Sequence, residues 1–102
     1  MGQTGATTEL EEEVAVEVWL APPWRVILHD DPVTTMDFVV WLLQHLFHKP
    51  TEEAVRLMLE VHTRGTGVAA VCARERAELY VEQVHSLSRA RGFPLTATTE
   101  PV

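Results

Sequence analysis

The sequence predicts an α+β fold: one small domain in which a three-stranded antiparallel sheet packs on helices, in the order β-α-α-β-α-β. Three observations predict it. Short apolar runs, Val26-Ile27-Leu28, Gly67 to Ala73 and Phe93 to Thr99, have the length and content of strands. The longer segments between them repeat apolar residues at i, i+3 and i+4, the helical period. Proline and glycine punctuate the joins, at Pro32, Pro50, Gly65 and Gly92.

A chain of 102 residues suits one domain. Its 46% hydrophobic and 23% charged content is that of an ordinary globular protein. The longest apolar run, Val39-Val40-Trp41-Leu42-Leu43, falls far short of the roughly 20 residues that span a bilayer. No signal-like start precedes it. No membrane partner and a cytoplasmic location are therefore expected, and the single Cys72, which excludes an internal disulfide, fits a reducing compartment.

Net charge is −7, and its distribution matters more than its size. Residues 1–24 hold five acids (Glu9, Glu11, Glu12, Glu13, Glu17) and no Lys or Arg. Neither part of the chain has the basic footprint of a nucleic-acid binder, so no nucleic acid is expected as a partner. Residues 1–23, Glu-rich and ending in Ala21-Pro22-Pro23, read as a mobile acidic extension, with the domain over residues 24–102. Within the extension, Val14 to Leu20 is apolar enough to form a transient strand or helix, or to dock on a partner.

Trp24 to His29 is the first strand, broken by Asp30-Asp31-Pro32 because proline fixes φ and extends the residue before it. Thr34 is expected to cap the first helix, with Asp37 three residues on. That helix should run to about Phe47 with a core stripe at 36, 39, 40, 43, 46 and 47. His48-Lys49-Pro50 ends it. Thr51 caps the second helix, and Glu52 and Glu53 sit at its positive end. This helix stops at Arg64-Gly65, and its Met58, Val61 and His62 share one face. Gly67 to Ala73 is the second strand. The third helix opens at Arg74-Glu75-Arg76 and buries Ala77, Tyr80, Val81, Val84 and Leu87. Phe93 to Thr99 is the last strand.

The distinctive stretch is residues 29–39, where two adjacent carboxylates sit on a tight turn between a strand and the most apolar helix. Such a turn suits one wall of a pocket for a cation attached to a large apolar group; helix capping is the plainer reading. His45 and His48 at i, i+3, with His62, raise a metal site, but no zinc-ligand pattern accompanies them. Cys72 lies in a small apolar strand, where Cys acts as a hydrophobe, and no nucleophile or phosphate-loop motif occurs. The chain is not expected to be an enzyme, and no cofactor is expected. Met36, Val39, Met58 and Val61 read as core by spacing, but His62, one turn beyond Met58, needs a polar partner if buried. The Asp30-Asp31 turn is the nearest supply.

Val26-Ile27-Leu28-His29, then Asp30-Asp31-x-x-Thr34-Thr35-Met36-x-Phe38-Val39, then Leu57-Met58-Leu59-x-Val61-His62-x-x-Gly65 closely resembles ClpS. That family consists of adaptors that bring proteins with particular N-terminal residues to an AAA+ Clp unfoldase and its protease. The resemblance spans roughly residues 24–100, including Phe93-Pro94-Leu95. It implies a pocket for an N-terminal Leu, Phe, Tyr or Trp. Asp30, Asp31 and His62 would hold the free α-amino group, and Leu28, Thr34, Met36, Val39, Leu42, Met58, Val61 and Leu95 would line or gate the cavity. It implies docking on the N-terminal domain of a ClpA- or ClpC-type unfoldase through the third helix, where this chain has Glu75 and Tyr80. It also implies that the unfoldase engages the N-terminal extension during delivery. The alternatives are a small metal-dependent enzyme or a structural interaction module.

Two departures from the family pattern stand out. Many members read Asn-Asp-Asp-Tyr-Thr where this chain has Asp30-Asp31-Pro32-Val33-Thr34, so Asp30 replaces an amide and Pro32 an acid. Tyr80 stands where some members have Lys.

Overall fold

The computed structural model describes residues 21–102. Except for Ala21, Pro22 and Pro23, the expected acidic extension lies outside the described residues. Strand β1 (Trp24–His29), helices α1 (Met36–His45) and α2 (Thr51–Arg64), strand β2 (Thr66–Cys72), helix α3 (Arg74–Ala90) and strand β3 (Thr96–Pro101) follow in the expected order.

The strands form one sheet, β2-β1-β3, with both pairings antiparallel. The β-branched β1 is central, and Leu28 stands opposite Gly67 on one side and Ala97 on the other. Alternation sends Val26, Leu28, Ala69 and Ala97 to the inner face, all at most 3% exposed. Phe38, Val39, Leu42 and Leu43 of α1, Ala54, Leu57, Met58 and Val61 of α2, and Ala77 and Val84 of α3 complete that core. The outer face is mixed: Ile27, Val68 and Val71 share it with Arg25, which pairs with Glu100 at 3.2 Å, and with His29, whose Nε2 lies 2.7 Å from the Thr98 hydroxyl. Small residues on β2 let α2 lie close. A Cβ on Gly67 would stand 2.7 Å from Val61 Cγ2 and 3.1 Å from Leu57 Cδ1.

Several boundaries differ from those the sequence predicts. Thr35 rather than Thr34 caps α1, accepting from the Phe38 N–H at 3.2 Å, because Thr34 is held by Asp31. The α1 stripe is rotated toward Phe38, Val39, Leu42 and Leu43, and Met36 is 44% exposed. Phe38 is drawn inward by the ring of Phe93, 5.0 Å away between centroids. Helix α1 ends at His45, and His48 takes a left-handed turn at φ 56° that lets Lys49 N–H reach the Leu43 carbonyl at 2.9 Å. Pro50, not Thr51, precedes α2 as its cap residue, without a side-chain bond, and the Thr51 hydroxyl accepts from Gln44 Nε2. The last strand starts at Thr96 rather than Phe93, since Phe93 packs on α1 instead of entering the sheet.

Replacing Gly67 by Val would force two buried side chains apart. Gly67→Val is expected to cost about 2 kcal/mol of stability by overpacking, seen as a lower urea midpoint; a midpoint equal to the parent's would refute the close approach.

Candidate functional site

The site begins where β1 ends. The Asp30 N–H donates to the Gly65 carbonyl at 2.9 Å, tying the exit of β1 to the exit of α2. Gly65 makes this possible by adopting φ 89°, a left-handed helix ending that side chains resist, while its own N–H returns to the Val61 carbonyl. His62 lies one turn before this junction. Its Nδ1 is consequently 3.9 Å from Asp30 Oδ2, with both side chains partly exposed.

Asp31 has a different task. Its Oδ1 accepts from the N–H groups of Val33 and Thr34 at 2.8 and 2.7 Å, and its Oδ2 accepts from the Thr34 hydroxyl at 2.7 Å. The side chain thus folds the turn over itself, as short acidic side chains do. Burial alone would push its pKa up. The Thr34 amide and hydroxyl, the Val33 amide and the positive charge of Arg89 together outweigh that and hold the carboxyl below its ordinary value.

The turn and α2 enclose an open depression of about 680 Å³ lined by Asp30, Asp31, Pro32, Val33, Thr34, Thr35, Met36 and His62. The structure therefore brings together five of the residues singled out from sequence: Asp30, Asp31, Thr34, Met36 and His62. Val39 and Met58 are almost sealed at 7% and 9% exposure, and Leu28, Leu42, Val61 and Leu95 are core residues at 2% or less. Sequence reasoning passed over Pro32, Val33 and Thr35 as lining residues. Their position inside the turn between named residues was the available signal. His62 was expected to need a partner through burial, but it is half exposed and meets Asp30 at the rim.

Glu75 is exposed in the first turn of α3, and Tyr80 is half-buried, stacked on Phe47 at 4.6 Å beneath the Arg76 guanidinium. Neither lines the depression. Among the described residues, no group of three or more His, Cys, Asp or Glu side chains could hold a metal ion, and no helix is long and apolar enough to cross a membrane.

Comparison with known proteins decides the family. The model of the family described as "ATP-dependent Clp protease adaptor protein ClpS" matches residues 20–98. This chain belongs to the ClpS family. A ClpS of Desulfatibacillum aliphaticivorans is 53% identical over 78 residues, covering 76% of this chain and 75% of that one. The ClpS of Oleidesulfovibrio alaskensis is 42% identical over 104 residues, covering both chains in full. The solved structure of Agrobacterium tumefaciens ClpS2 bound to L-phenylalaninamide superposes with a TM-score of 0.77 at 33% identity, covering 79% of this chain and 98% of that one. ClpS proteins are adaptors, not enzymes, and nothing in these likenesses supports a metal-dependent enzyme.

The Asp31 turn carries its own pH test. Because the folded carboxyl ionises more readily than the unfolded one, its stabilisation is complete above the ordinary value near pH 4 and is lost as pH falls through the lower folded value. The Val33 and Thr34 amide NMR signals are expected to titrate together below about pH 4, and Asp31→Asn should abolish that step. Amides that titrate at the ordinary carboxylate midpoint would contradict the bonding.

Proposed function

We propose that this ClpS-family adaptor binds the free N-terminus of a protein that begins with a bulky residue and delivers it to a Clp unfoldase. The observation that carries the reading is the pair of acceptors at the rim. Asp30 Oδ2 and His62 Nδ1 are too far apart, at 3.9 Å, to bond each other. One ammonium nitrogen between them reaches both at about 2.9 Å, with an angle of roughly 90° that two of its protons can serve. The reading needs His62 neutral, with its lone pair on Nδ1.

The apolar half of the ligand enters beside Met36 and Val33, 44% and 58% exposed at the mouth. Val39 and Met58 lie under it, and Leu28, Leu42, Val61 and Leu95 back them within the core. The two halves contribute comparably. A charge pair near 4 Å is worth on the order of 4 kcal/mol at an effective dielectric of about 20, and burying a Leu or Phe side chain adds roughly 1.5–3 kcal/mol. Neither alone offsets the several kcal/mol that association costs. Both are required. Asp31 contributes charge and holds the turn that carries Asp30.

The partner in this reading is the N-terminal domain of a ClpA- or ClpC-type unfoldase, met by Glu75 and Tyr80 on α3, with residues 1–23 as the segment the unfoldase engages. The location is cytoplasmic, which the free thiol of Cys72 suits. The preferred substrates in this reading start with Leu, Phe, Tyr or Trp; the L-phenylalaninamide bound to the Agrobacterium relative supports the Phe among them.

A peptide panel differing only in its first residue tests this directly. Peptides starting with Leu, Phe, Tyr or Trp are expected to bind in the micromolar range, about −8 kcal/mol, and N-acetylated copies should not bind. Equal binding of both would sink the reading. Asp30→Ala removes the charge and both acceptor oxygens, so affinity should drop roughly tenfold at low salt and its salt dependence should flatten. His62→Ala is expected to weaken binding similarly, with the unfolding midpoint of either variant close to the parent's. An unchanged salt slope in Asp30→Ala would remove the ion pair from the account.

A further inference from the structure

We propose that Arg89 is a positioning residue of this pocket: its guanidinium fastens the Phe93–Leu95 crossing to α3 and, through the Phe93 ring against Phe38, steadies the start of α1 beside the depression. The inference rests on the depression being the N-terminal-residue site. Arg89 lies in the last turn of α3, and a single nitrogen, Nη1, donates to the carbonyls of Phe93 at 2.9 Å and Leu95 at 2.8 Å. Those residues precede β3, so their carbonyls have no sheet partner, and Pro94 between them has no N–H to offer. A charged donor serving both is stronger than a neutral one would be.

The crossing connects to the site in two directions. Leu95 is sealed in the core at 1% exposure, while the Phe93 ring lies against Phe38, whose N–H is capped by Thr35 at the depression. The Arg89 charge also reaches Asp31 and helps keep it ionised, and Asp31 closes the turn through Val33 and Thr34. The neighbouring Arg91 is committed elsewhere, over the rings of Trp41 and Phe38 at 5.1 and 5.8 Å. His85, one turn earlier on α3, accepts the Ala97 N–H at 3.0 Å and holds the start of β3 from the same helix. Arg89 thus ties the end of α3 to the crossing at two carbonyls.

The test compares wild type, Arg89→Gln and Arg89→Lys for binding of a peptide starting with Phe, alongside NMR titration of the Asp31 carboxyl. Arg89→Gln is expected to fold, to bind roughly tenfold more weakly, and to show the Asp31 titration moved upward. Arg89→Lys, which keeps the charge, should restore the Asp31 titration and recover most of the affinity. In wild type the Arg89 guanidinium proton signals should exchange slowly and shift when the peptide is added. Wild-type affinity in folded Arg89→Gln overturns the proposal, as does weaker binding with an unmoved Asp31 titration and no rescue by lysine. Should Arg89→Gln not fold, guanidinium signals unaffected by peptide in wild type overturn it equally. A wild-type protein that fails to distinguish the Phe peptide from its acetylated copy removes the pocket reading itself; wild-type selectivity with an indifferent Arg89→Gln removes only the role of Arg89.

Discussion

One backbone hydrogen bond, Asp30 N–H to Gly65 carbonyl, sets the geometry on which the site depends. It joins two chain exits, the end of the central strand and the end of α2, and so brings residues more than thirty positions apart to one rim. Without the left-handed Gly65, α2 would not present that carbonyl, and His62 would have no fixed relation to Asp30. The two rim groups are thus positioned by main chain, the stiffest part of the fold, while their tips remain at the surface.

The two aspartates of the turn look equivalent in sequence and are not. Asp31 spends both oxygens on its own turn and has a lowered pKa because of those bonds and the nearby Arg89. Asp30 makes its contact to α2 through its main chain and leaves its carboxylate facing His62. Side-chain direction therefore separates the two: Asp31 turns inward on its own backbone and Asp30 faces α2. Pro32, directly after them, sits in the lining and stiffens the turn.

Much of this was legible in the sequence. The β-branched run within Trp24 to His29 located the first strand, and Gly65 located the end of α2 because no other residue type ends a helix in that way so readily. Met58, Val61 and His62 were placed on one face by spacing alone, and the family likeness attached Asp30 to them. What the sequence did not reveal arises from competition between neighbours. Thr34 and Thr35 are equally good caps, and only the capture of Thr34 by Asp31 leaves Thr35 for α1. Likewise Phe38 and Met36 compete for the inward face of α1, and the distant Phe93 decides between them. The apolar lining, Pro32, Val33 and Met36, lies in the turn and at the very start of α1, where no helical or strand period marks it.

The central strand also separates the two ends of the described domain from the depression. Residues 23 and 102 meet at the opposite end of β1, where the Val102 N–H donates to the Pro23 carbonyl at 2.9 Å. Six residues at about 3.3 Å each put nearly 20 Å between that end and the rim. A label, tether or fused module joined before Pro23 or after Val102 would therefore start behind the molecule and leave the mouth unobstructed.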